Sequence, residues 1–428
     1  MKFLTGKKDF VLLGVLLLLP FFSRLFAQDT PSEAEYFTHL QQLYFENSQH
    51  RYDDYLLERL ENFDLLFPES KQLDQIYFML GEITRARREP YRSFYYFAKL
   101  IFTKPSSKLK KEAVARIDSL LTSPGELQLA ERSDSIFSEF NKIPAATSAE
   151  ESAFNLLSFI YSLSCDSLQA PFMAGARHYR QRFGLQAAHN DILLLWQARI
   201  FNAQGSPATA KALLRELIAL YPKSDVLPAA WSDLAAIEQD FFKNYTAARD
   251  DLLQVIDNFP ESEQSARAQF RLARLFERYL HQPQLALENY RLVADAFAAS
   301  PYRCPALFQL GKLLAENKDY TASAQAYMQY YEHCADSGRA VLALQQIADM
   351  CEHKLHNQPQ LAATLLLLAQ HTPNDSAAAG YLFRAATIYS QMPDQKEKAR
   401  EACRIIVKQY PKTSVAQKAA ELIKALKP

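Results

Sequence analysis

Three stretches in the middle of the chain decide the fold: residues 213–224 read LLRELIALYPKS, residues 252–262 read LLQVIDNFPES and residues 290–303 read YRLVADAFAASPYR. Alanine recurs every 38 residues through and around this region, at Ala210, Ala248, Ala286, Ala324 and Ala362. Pro222 and Pro260 follow the first two of these alanines by twelve residues. A fixed period of roughly 20–50 residues indicates an array of one supersecondary unit.

Each unit is a pair of helices. The apolar residues of 229–239 recur with a helical period, a polar break follows at Lys243-Asn244, and a second helical pattern covers 247–256. Two helices joined by so short a break pack antiparallel. The small alanine lets their backbones approach closely, and the proline ends the second helix because it lacks an N–H and clashes with the preceding turn.

This unit resembles the tetratricopeptide repeat, and its clearest copy has Leu310-Gly311 in the first helix and Ala324 and Tyr327 in the second. The longer period, with Tyr/Phe-Pro-x-Ser after the second helix, is similar to the variant found in the outer-membrane assembly lipoproteins and in the periplasmic cell-division coordinators that work with the Tol system. The resemblance implies an all-α, right-handed superhelical solenoid of about ten helix hairpins. It also implies a binding scaffold without catalytic activity.

The regularity of the repeats divides the chain. We expect a signal peptide at residues 1–27, an N-terminal group of hairpins at 28–143, degenerate hairpins at 144–222, and a regular array at 223–428 that ends in a polar capping helix from Val415 to Leu426. Ser93 is placed at the small-residue position of the second hairpin, because Pro105 follows it by twelve residues, as Pro222 follows Ala210.

The first 27 residues have the pattern of a secretory signal. Three lysines precede an apolar run of 13 residues at 10–22, which is too short to span a bilayer, and Ala27 offers a cleavage site. We therefore predict export to the periplasm of a bacterium with two membranes. An uncleaved anchor is the alternative. No cysteine stands directly after the run, where the assembly lipoproteins have their lipid-anchoring residue. Outer-membrane or peripheral membrane association stays open.

Composition argues against several classes of function. Lys and Arg number 48 and Asp and Glu also number 48, whereas non-specific nucleic-acid binding needs a dominant positive field. Phosphate-binding loops, nucleophile elbows and His-Glu-x-x-His motifs are missing from the sequence. Cys351, His353 and His356 form the densest group of metal-ligating types, but a structural zinc site needs four ligands. We expect no enzyme activity, cofactor or metal.

The five cysteines allow one predicted disulfide. Cys304 begins the first helix of its hairpin and Cys334 ends the second, and these ends are neighbours when the helices run antiparallel. The alternative is that all five cysteines are small buried residues.

The first helices carry one candidate binding surface, because the resemblance places them on the concave side. When the repeats are aligned on Leu310-Gly311, one position of the first helix is usually aromatic: it is Phe78, Phe270, Phe308 and Phe383, with Gln345 in the intervening repeat. The position one turn later is polar: it is Glu82, Arg274, Lys312, Asp349 and Thr387. From these we predict a partner-binding groove made of Phe270, Arg274, Phe308, Lys312, Gln345, Asp349 and Phe383. The alternative is that the phenylalanines pack between repeats.

A second candidate surface is a basic block that follows an acidic hairpin. Its selected members are Arg85, Arg87, Arg88, Arg92, Lys108, Lys110 and Lys111. Such a block suits an acidic partner, unless the neighbouring acidic hairpin neutralises it. The sequence as a whole predicts a scaffold for a protein or peptide partner in outer-membrane or cell-wall assembly. A helical-repeat protein that binds glycans or nutrients at the outer membrane is the alternative.

Overall fold

A computed structural model describes residues 32–123, 127–144, 148–334, 339–372 and 374–426. Within these residues the regular structure is α-helix, with short 3-10 turns at Ala130–Arg132, Asp166–Leu168 and Pro393–Gln395, and contains no β-strand. The all-α prediction is confirmed. The predicted signal peptide lies outside the described residues. None of the described helices is long and apolar enough to cross a membrane.

The chain forms two compact units that divide between Ile200 and Phe201. The helices that begin in the first unit are α1 Glu33–Glu46, α2 Asp53–Glu61, α3 Phe63–Leu66, α4 Leu73–Ala86, α5 Pro90–Thr103, α6 Lys110–Thr122, α7 Ser133–Lys142, α8 Ala149–Ser162, α9 Gln169–Phe183 and α10 Asn190–Ala203. Because α10 crosses the division, the predicted boundaries near 143 and 222, which rest on repeat regularity, stay predictions.

The helices of the second unit are α11 Pro207–Leu220, α12 Leu227–Asp240, α13 Tyr245–Asn258, α14 Glu263–Arg278, α15 Pro283–Ala296, α16 Arg303–Glu316, α17 Tyr320–His333, α18 Ala340–His353, α19 Gln358–His371, α20 Asp375–Ser390, α21 Lys396–Gln409 and α22 Ser414–Ala425. From α11 to α22 each helix packs on the next one along the chain. The final helix α22 also contacts α20, as expected of a helix that covers the last hairpin.

The first unit is built around α5 rather than as a simple succession of hairpins. Residues 93–98 and 100–102 of α5 are buried, and this helix packs against α4, α6, α8 and α9. Helices α8 and α9 form a hairpin where a degenerate repeat was expected, but α8 lies on α5. The aromatic residues Phe94, Tyr95, Tyr96 and Phe97 therefore belong to the core.

A close contact joins the two helices of a hairpin at equivalent places in both units. The hydroxyl of Ser93 donates to the carbonyl oxygen of Gly81 at 2.9 Å, and the hydroxyl of Ser323 donates to that of Gly311 at 2.6 Å. Phe97 and Tyr327 lie against the two glycines. Ser93 is thus equivalent to Ser323. The predicted equivalence of Ser93 with Ala324 is wrong by one residue, because the hydroxyl bond, and not the distance to the next proline, sets the register.

The turn inside each hairpin is built on a left-handed residue. In five hairpins a non-glycine residue two positions before the second helix has positive φ, namely Arg88, Lys243, His281, Lys318 and His356. Gly205 holds the same place before α11. Asn244, Asp319 and Asn357 follow, and their side chains cap the second helix by accepting a backbone N–H. The sequence predicts these turns only as polar breaks between helices and does not predict their left-handed residues.

The close contact predicts opposite effects for glycine-to-alanine changes. A Cβ at Gly81 would lie 2.5 Å from a ring carbon of Phe97, whereas a Cβ at Gly380 in α20 would meet nothing within 4 Å. Gly81→Ala should lower the free energy of unfolding by about 1–3 kcal/mol through overpacking. Gly380→Ala should raise it by about 0.5–1 kcal/mol, because alanine is the better helix former. Urea unfolding followed by circular dichroism measures both, and equal effects at the two sites would contradict the close contact.

Candidate functional site: a groove on the N-terminal unit

An open groove of about 680 Å³ runs between α1, α4 and the turn that leads into α6. Its lining is Gln41, Tyr44, Phe45, Asp74, Gln75, Phe78, Met79, Ser106, Ser107, Lys108 and Leu109. The side chain of Phe45 is 72% exposed, which is unusual for so large an apolar residue. Phe78 is half-buried, and its ring centroid lies 5.5 Å from that of Phe97 on α5, the second helix of the same hairpin. The volume is in the range typical of binding sites for small molecules and peptide segments.

Two polar contacts hold the walls of the groove together. The hydroxyl of Ser107 donates to the carboxylate of Asp74 at 2.6 Å and accepts the backbone N–H of Leu109 at 3.0 Å. The side-chain amide of Gln41 donates to that of Gln75 at 3.3 Å. The carboxylate of Asp74 is therefore committed to the fold, and the groove presents mainly aromatic and apolar surface.

The basic block divides into neutralised and unpaired residues. Arg85 pairs with Glu82 at 2.8 Å, Arg87 with Asp54 at 2.5 Å, and Arg92 with Glu61 at 2.6 Å. Asp54 and Glu61 on α2 of the acidic first hairpin neutralise Arg87 and Arg92, and Glu82 neutralises Arg85 on the same helix, α4. Four members of the block have no acidic side chain within ion-pair distance among the described residues: Arg88, Lys108, Lys110 and Lys111. Lys108 lines the groove, and Lys110 and Lys111 follow it at the start of α6, so unpaired positive charge is concentrated in this segment.

The groove predicted on the first helices of the second unit is only partly open. Phe270 is 9% exposed, and its ring lies 5.7 Å from Tyr290 and 5.6 Å from Tyr302 between ring centroids. It is a core residue and cannot form the floor of a groove, because the second helix of its hairpin and the start of the next cover the ring. Phe383 is half-buried against the last core cluster.

The remaining residues of that predicted groove lie at the surface. Phe308 is half-buried, with ring centroids 5.5 Å from Tyr327 and 5.3 Å from Tyr330. The polar members Arg274, Lys312, Gln345 and Asp349 are exposed. Apart from Phe270, the assignment of these positions to a binding surface stays a prediction.

The structure contains the disulfide between Cys304 and Cys334, with an S–S distance of 2.04 Å and a Cα–Cα distance of 5.9 Å. It joins the start of α16 to the end of α17. Burial raises the pKa of the Cys351 and Cys403 thiols to about 11, so both are unreactive neutral residues. Within the part of the chain that the structure describes, no group of three or more His, Cys, Asp or Glu side chains could hold a metal ion.

A buried carboxylate braces the first unit behind the groove. Asp64 on α3 is 1% exposed. It accepts the hydroxyl of Tyr77 at 2.7 Å and the ammonium of Lys99 at 3.1 Å, and Nε2 of His178 lies 2.7 Å from it. Arg182 approaches to 3.6 Å. One carboxylate thus joins α3, α4, α5 and α9.

Opposing effects act on the Asp64 carboxyl. Burial by itself would raise its pKa, but Lys99, His178 and the hydroxyl of Tyr77 outweigh burial and hold the pKa well below its usual range. Burial and Lys99 lower the pKa of His178, against the opposing pull of Asp64. The imidazole of His178 is therefore neutral at neutral pH, and Asp64 stays ionised.

Sequence reasoning missed both Phe45 and Asp64. Phe45 stands in a run of apolar residues at the end of α1, and nothing local distinguishes an exposed ring there from a buried one. Asp64 interrupts the apolar run FDLLF at 63–67, and an acidic residue inside such a run is a signal that could have drawn attention to it.

A second, smaller concavity of about 370 Å³ lies between the ends of α5 and α7 and the side of α8. Phe102 and Phe159 form its floor, and Asn155, Ser158 and Ser162 line one wall. Polar side chains above an aromatic floor are compatible with the glycan alternative, although both rings are largely buried.

Two segments, residues 193–224 and 381–413, match the family model of the tetratricopeptide repeat. The chain contains tetratricopeptide repeats. Each match ends at a Tyr-Pro-Lys sequence, at Tyr221 and at Tyr410, the same signal from which the period was recognised. A comparison with curated proteins found no match.

Solved structures of repeat proteins resemble parts of the chain at low identity. The C-terminal part of a repeat-containing protein from Cytophaga hutchinsonii is 13% identical, with a TM-score of 0.39, over 62% of this chain and 98% of that chain. A tetratricopeptide repeat protein from Parabacteroides merdae is 14% identical, with a TM-score of 0.36, over 64% and 99%. PilF of Pseudomonas aeruginosa is 14% identical, with a TM-score of 0.32, over 54% and 96%.

Removing the charge of Asp64 should destabilise the first unit. Asp64→Asn leaves Lys99 and Arg182 without their buried anion, and breaking a buried pair in this way lowers the free energy of unfolding by about 3–5 kcal/mol. Asp54→Asn is the control, because the Asp54 carboxylate is 92% exposed and an exposed ion pair contributes at most about 1 kcal/mol. Urea unfolding at pH 7 measures the difference.

The stability difference between the parent protein and Asp64→Asn should also depend on pH. The folded-state pKa of Asp64 lies below its value in the unfolded chain, about 3.9. The stability it contributes is therefore present above about pH 4 and is lost as the pH falls further. The stability difference between the parent protein and Asp64→Asn should stay constant from pH 5 to 8 and shrink in stronger acid. A difference that shrinks between pH 8 and 5 would contradict the brace.

Proposed function

We propose that the chain is an exported, non-catalytic scaffold that binds a segment of a partner protein in the groove between α1 and α4. The observation that carries the proposal is the exposed ring of Phe45 beside an apolar groove of about 680 Å³. Aromatic side chains that anchor in or beside a groove contribute much of the binding energy of protein interfaces. The tetratricopeptide repeats support the proposal, because such repeats expose extended surfaces that bind other proteins.

The charge at the edge of the groove narrows the chemistry of the partner. Lys108, Lys110 and Lys111 have no acidic partner among the described residues, whereas Arg85, Arg87 and Arg92 are neutralised within the fold. A segment with one or two apolar or aromatic side chains and neighbouring Asp or Glu residues would fill the groove and pair with the lysines. Electrostatic complementarity of this kind favours specificity and fast association.

Two features support the exported location. The first is the signal-like pattern of residues 1–27. The second is the disulfide between Cys304 and Cys334, because disulfides form and persist in oxidising compartments such as the periplasm. The proposed process, outer-membrane or cell-wall assembly, rests on the resemblance of the repeat to envelope proteins alone.

Selection of random peptides on the purified protein tests the groove. The selected peptides should combine an aromatic or large apolar residue with acidic residues. Phe45→Ala should weaken their binding at least about tenfold, because truncation of an anchoring aromatic typically removes 2 kcal/mol or more. Lys108→Glu should weaken acidic peptides further and reduce the salt dependence of the dissociation constant. Fluorescence polarisation measures both.

Phe241→Ala is the matched control, since Phe241 is 50% exposed and lies in the second unit. It should leave the affinity unchanged. Equal binding by the parent protein and Phe45→Ala would remove the groove from the proposal. A protein that selects no peptide but retains a saccharide in equilibrium dialysis would support the glycan alternative instead.

The exported location predicts a defined mature terminus. Removal of the signal segment should leave Gln28 as the first residue of protein isolated from a periplasmic fraction. N-terminal sequencing or intact mass of the purified protein measures this. An intact Met1 in protein that stays in the cytoplasm would contradict export.

A further inference from the structure

A buried glutamate joins three helices at the start of the second unit. Glu238 on α12 is 1% exposed. On α11, Nζ of Lys211 lies 2.6 Å from its Oε1, and the guanidinium of Arg215 lies 3.6 Å from the same oxygen. Lys211 is mostly buried, whereas the side chain of Arg215 is 62% exposed and largely solvated. One ammonium group therefore provides most of the neutralisation of this carboxylate.

A second carboxylate, on the neighbouring helix α13, interacts electrostatically with Glu238. Asp251 is half-buried, and the negative charge of Glu238 acts on it. Oε2 of Glu238 and Oδ2 of Asp251 are both buried and have no hydrogen-bond partner among the described residues. Buried acceptors without a partner are rare in folded proteins and costly. Two carboxylates with one buried ammonium also leave an excess negative charge.

The other charged groups around Asp251 do not remove this excess. Asp250, the neighbour on α13, adds a further negative charge, and its carboxylate is paired with Arg249 at 2.7 Å. On α14, Arg271 is directed at the carbonyl oxygen of Ser232, to which it donates at 2.8 Å. Burial and then the charge of Glu238 raise the pKa of Asp251 to about 7.

We propose that the pair formed by Glu238 and Asp251 holds one proton near neutral pH and that this proton makes the junction of α11, α12 and α13 a pH-sensitive joint. A protonated carboxyl is a donor as well as an acceptor, so one proton removes the excess charge and lets a buried oxygen take part in a hydrogen bond. Loss of the proton puts two negative charges into a site with one buried ammonium. The packing of α13 on α12 and α11 then weakens.

The sign of the effect follows from linkage. The folded state holds the proton up to about pH 7, whereas an aspartate in the unfolded chain releases it near pH 3.9. Between these values the folded state binds more protons than the unfolded state, so stability falls as the pH rises. Above about pH 7 the contribution of this pair no longer changes.

Urea unfolding of the parent protein and of Asp251→Asn between pH 5 and 8 tests the proposal. Asparagine keeps the shape of a neutral Asp251 but has no proton to lose. The ratio of the unfolding constant of the parent protein to that of Asp251→Asn should rise with pH by up to about tenfold per unit, and should level off above about pH 7. Trp231, on the same helix as Glu238, provides a fluorescence signal. A ratio that is constant over this range would overturn the proposal.

Two further variants separate the shared proton from a purely structural role. Asp250→Asn is the matched control: Asp250 raises the pKa of Asp251 less than Glu238 does, so this variant should change the pH dependence of the parent protein much less than Glu238→Gln. Glu238→Gln removes the charge that opposes ionisation of Asp251, so the pH dependence should weaken although Asp251 is still present. The carboxyl carbon of Asp251, followed by NMR, should titrate near pH 7 in the parent protein. A titration midpoint below pH 5 would also overturn the proposal.

Discussion

The close approach of the two helices in a hairpin is the constraint on which the rest of the structure depends. At Gly81 and Gly311 the helices approach so closely that the hydroxyls of Ser93 and Ser323 reach the glycine carbonyl oxygens. Elsewhere alanines such as Ala210, Ala248 and Ala286, all 0% exposed, fill the same kind of interface. A short interhelical distance leaves little room for change, since a single added methylene in such a contact displaces a ring.

Both units place a buried carboxylate where three or more helices meet. Asp64 has two largely buried cations, Lys99 and Arg182, within 3.6 Å and the hydroxyl of Tyr77 at 2.7 Å, so positive charge outweighs its own. Glu238 has one buried ammonium, that of Lys211, and interacts with the like charge of Asp251, so its compensation is incomplete. Because removing one partner of a buried pair is far more harmful than replacing the whole pair, these clusters specify which helices meet rather than how strongly they do so. The difference in compensation makes one cluster a brace and the other responsive to pH.

The features that could be predicted from the sequence are those set by local patterns along the chain. The helix pairs, their period and the proximity of Cys304 and Cys334 follow from local patterns and from the antiparallel geometry of a hairpin. The left-handed turns at Lys243 and Lys318 could not be read, because non-glycine residues rarely adopt positive φ and carry no local signal for it. The register of Ser93 depends on a side-chain hydrogen bond to the neighbouring helix, and His178 and Arg182 reach Asp64 from a helix far along the chain. Helical periodicity reports neither kind of contact.

The same limit decides which aromatic residue is part of a site. Phe270 and Phe45 both lie on first helices, and both follow the apolar pattern of their helix. Phe270 is covered by Tyr290 and Tyr302, which come 20 and 32 residues later. Phe45 has Tyr44 as its ring neighbour, on its own helix, with centroids 5.5 Å apart. Since helical periodicity reports only which side of a helix is apolar, it cannot tell whether a later segment covers that side. In this chain the uncovered ring of Phe45 lines the same groove as Lys108, and that coincidence of apolar surface and positive charge is the reason for proposing the groove as a binding site.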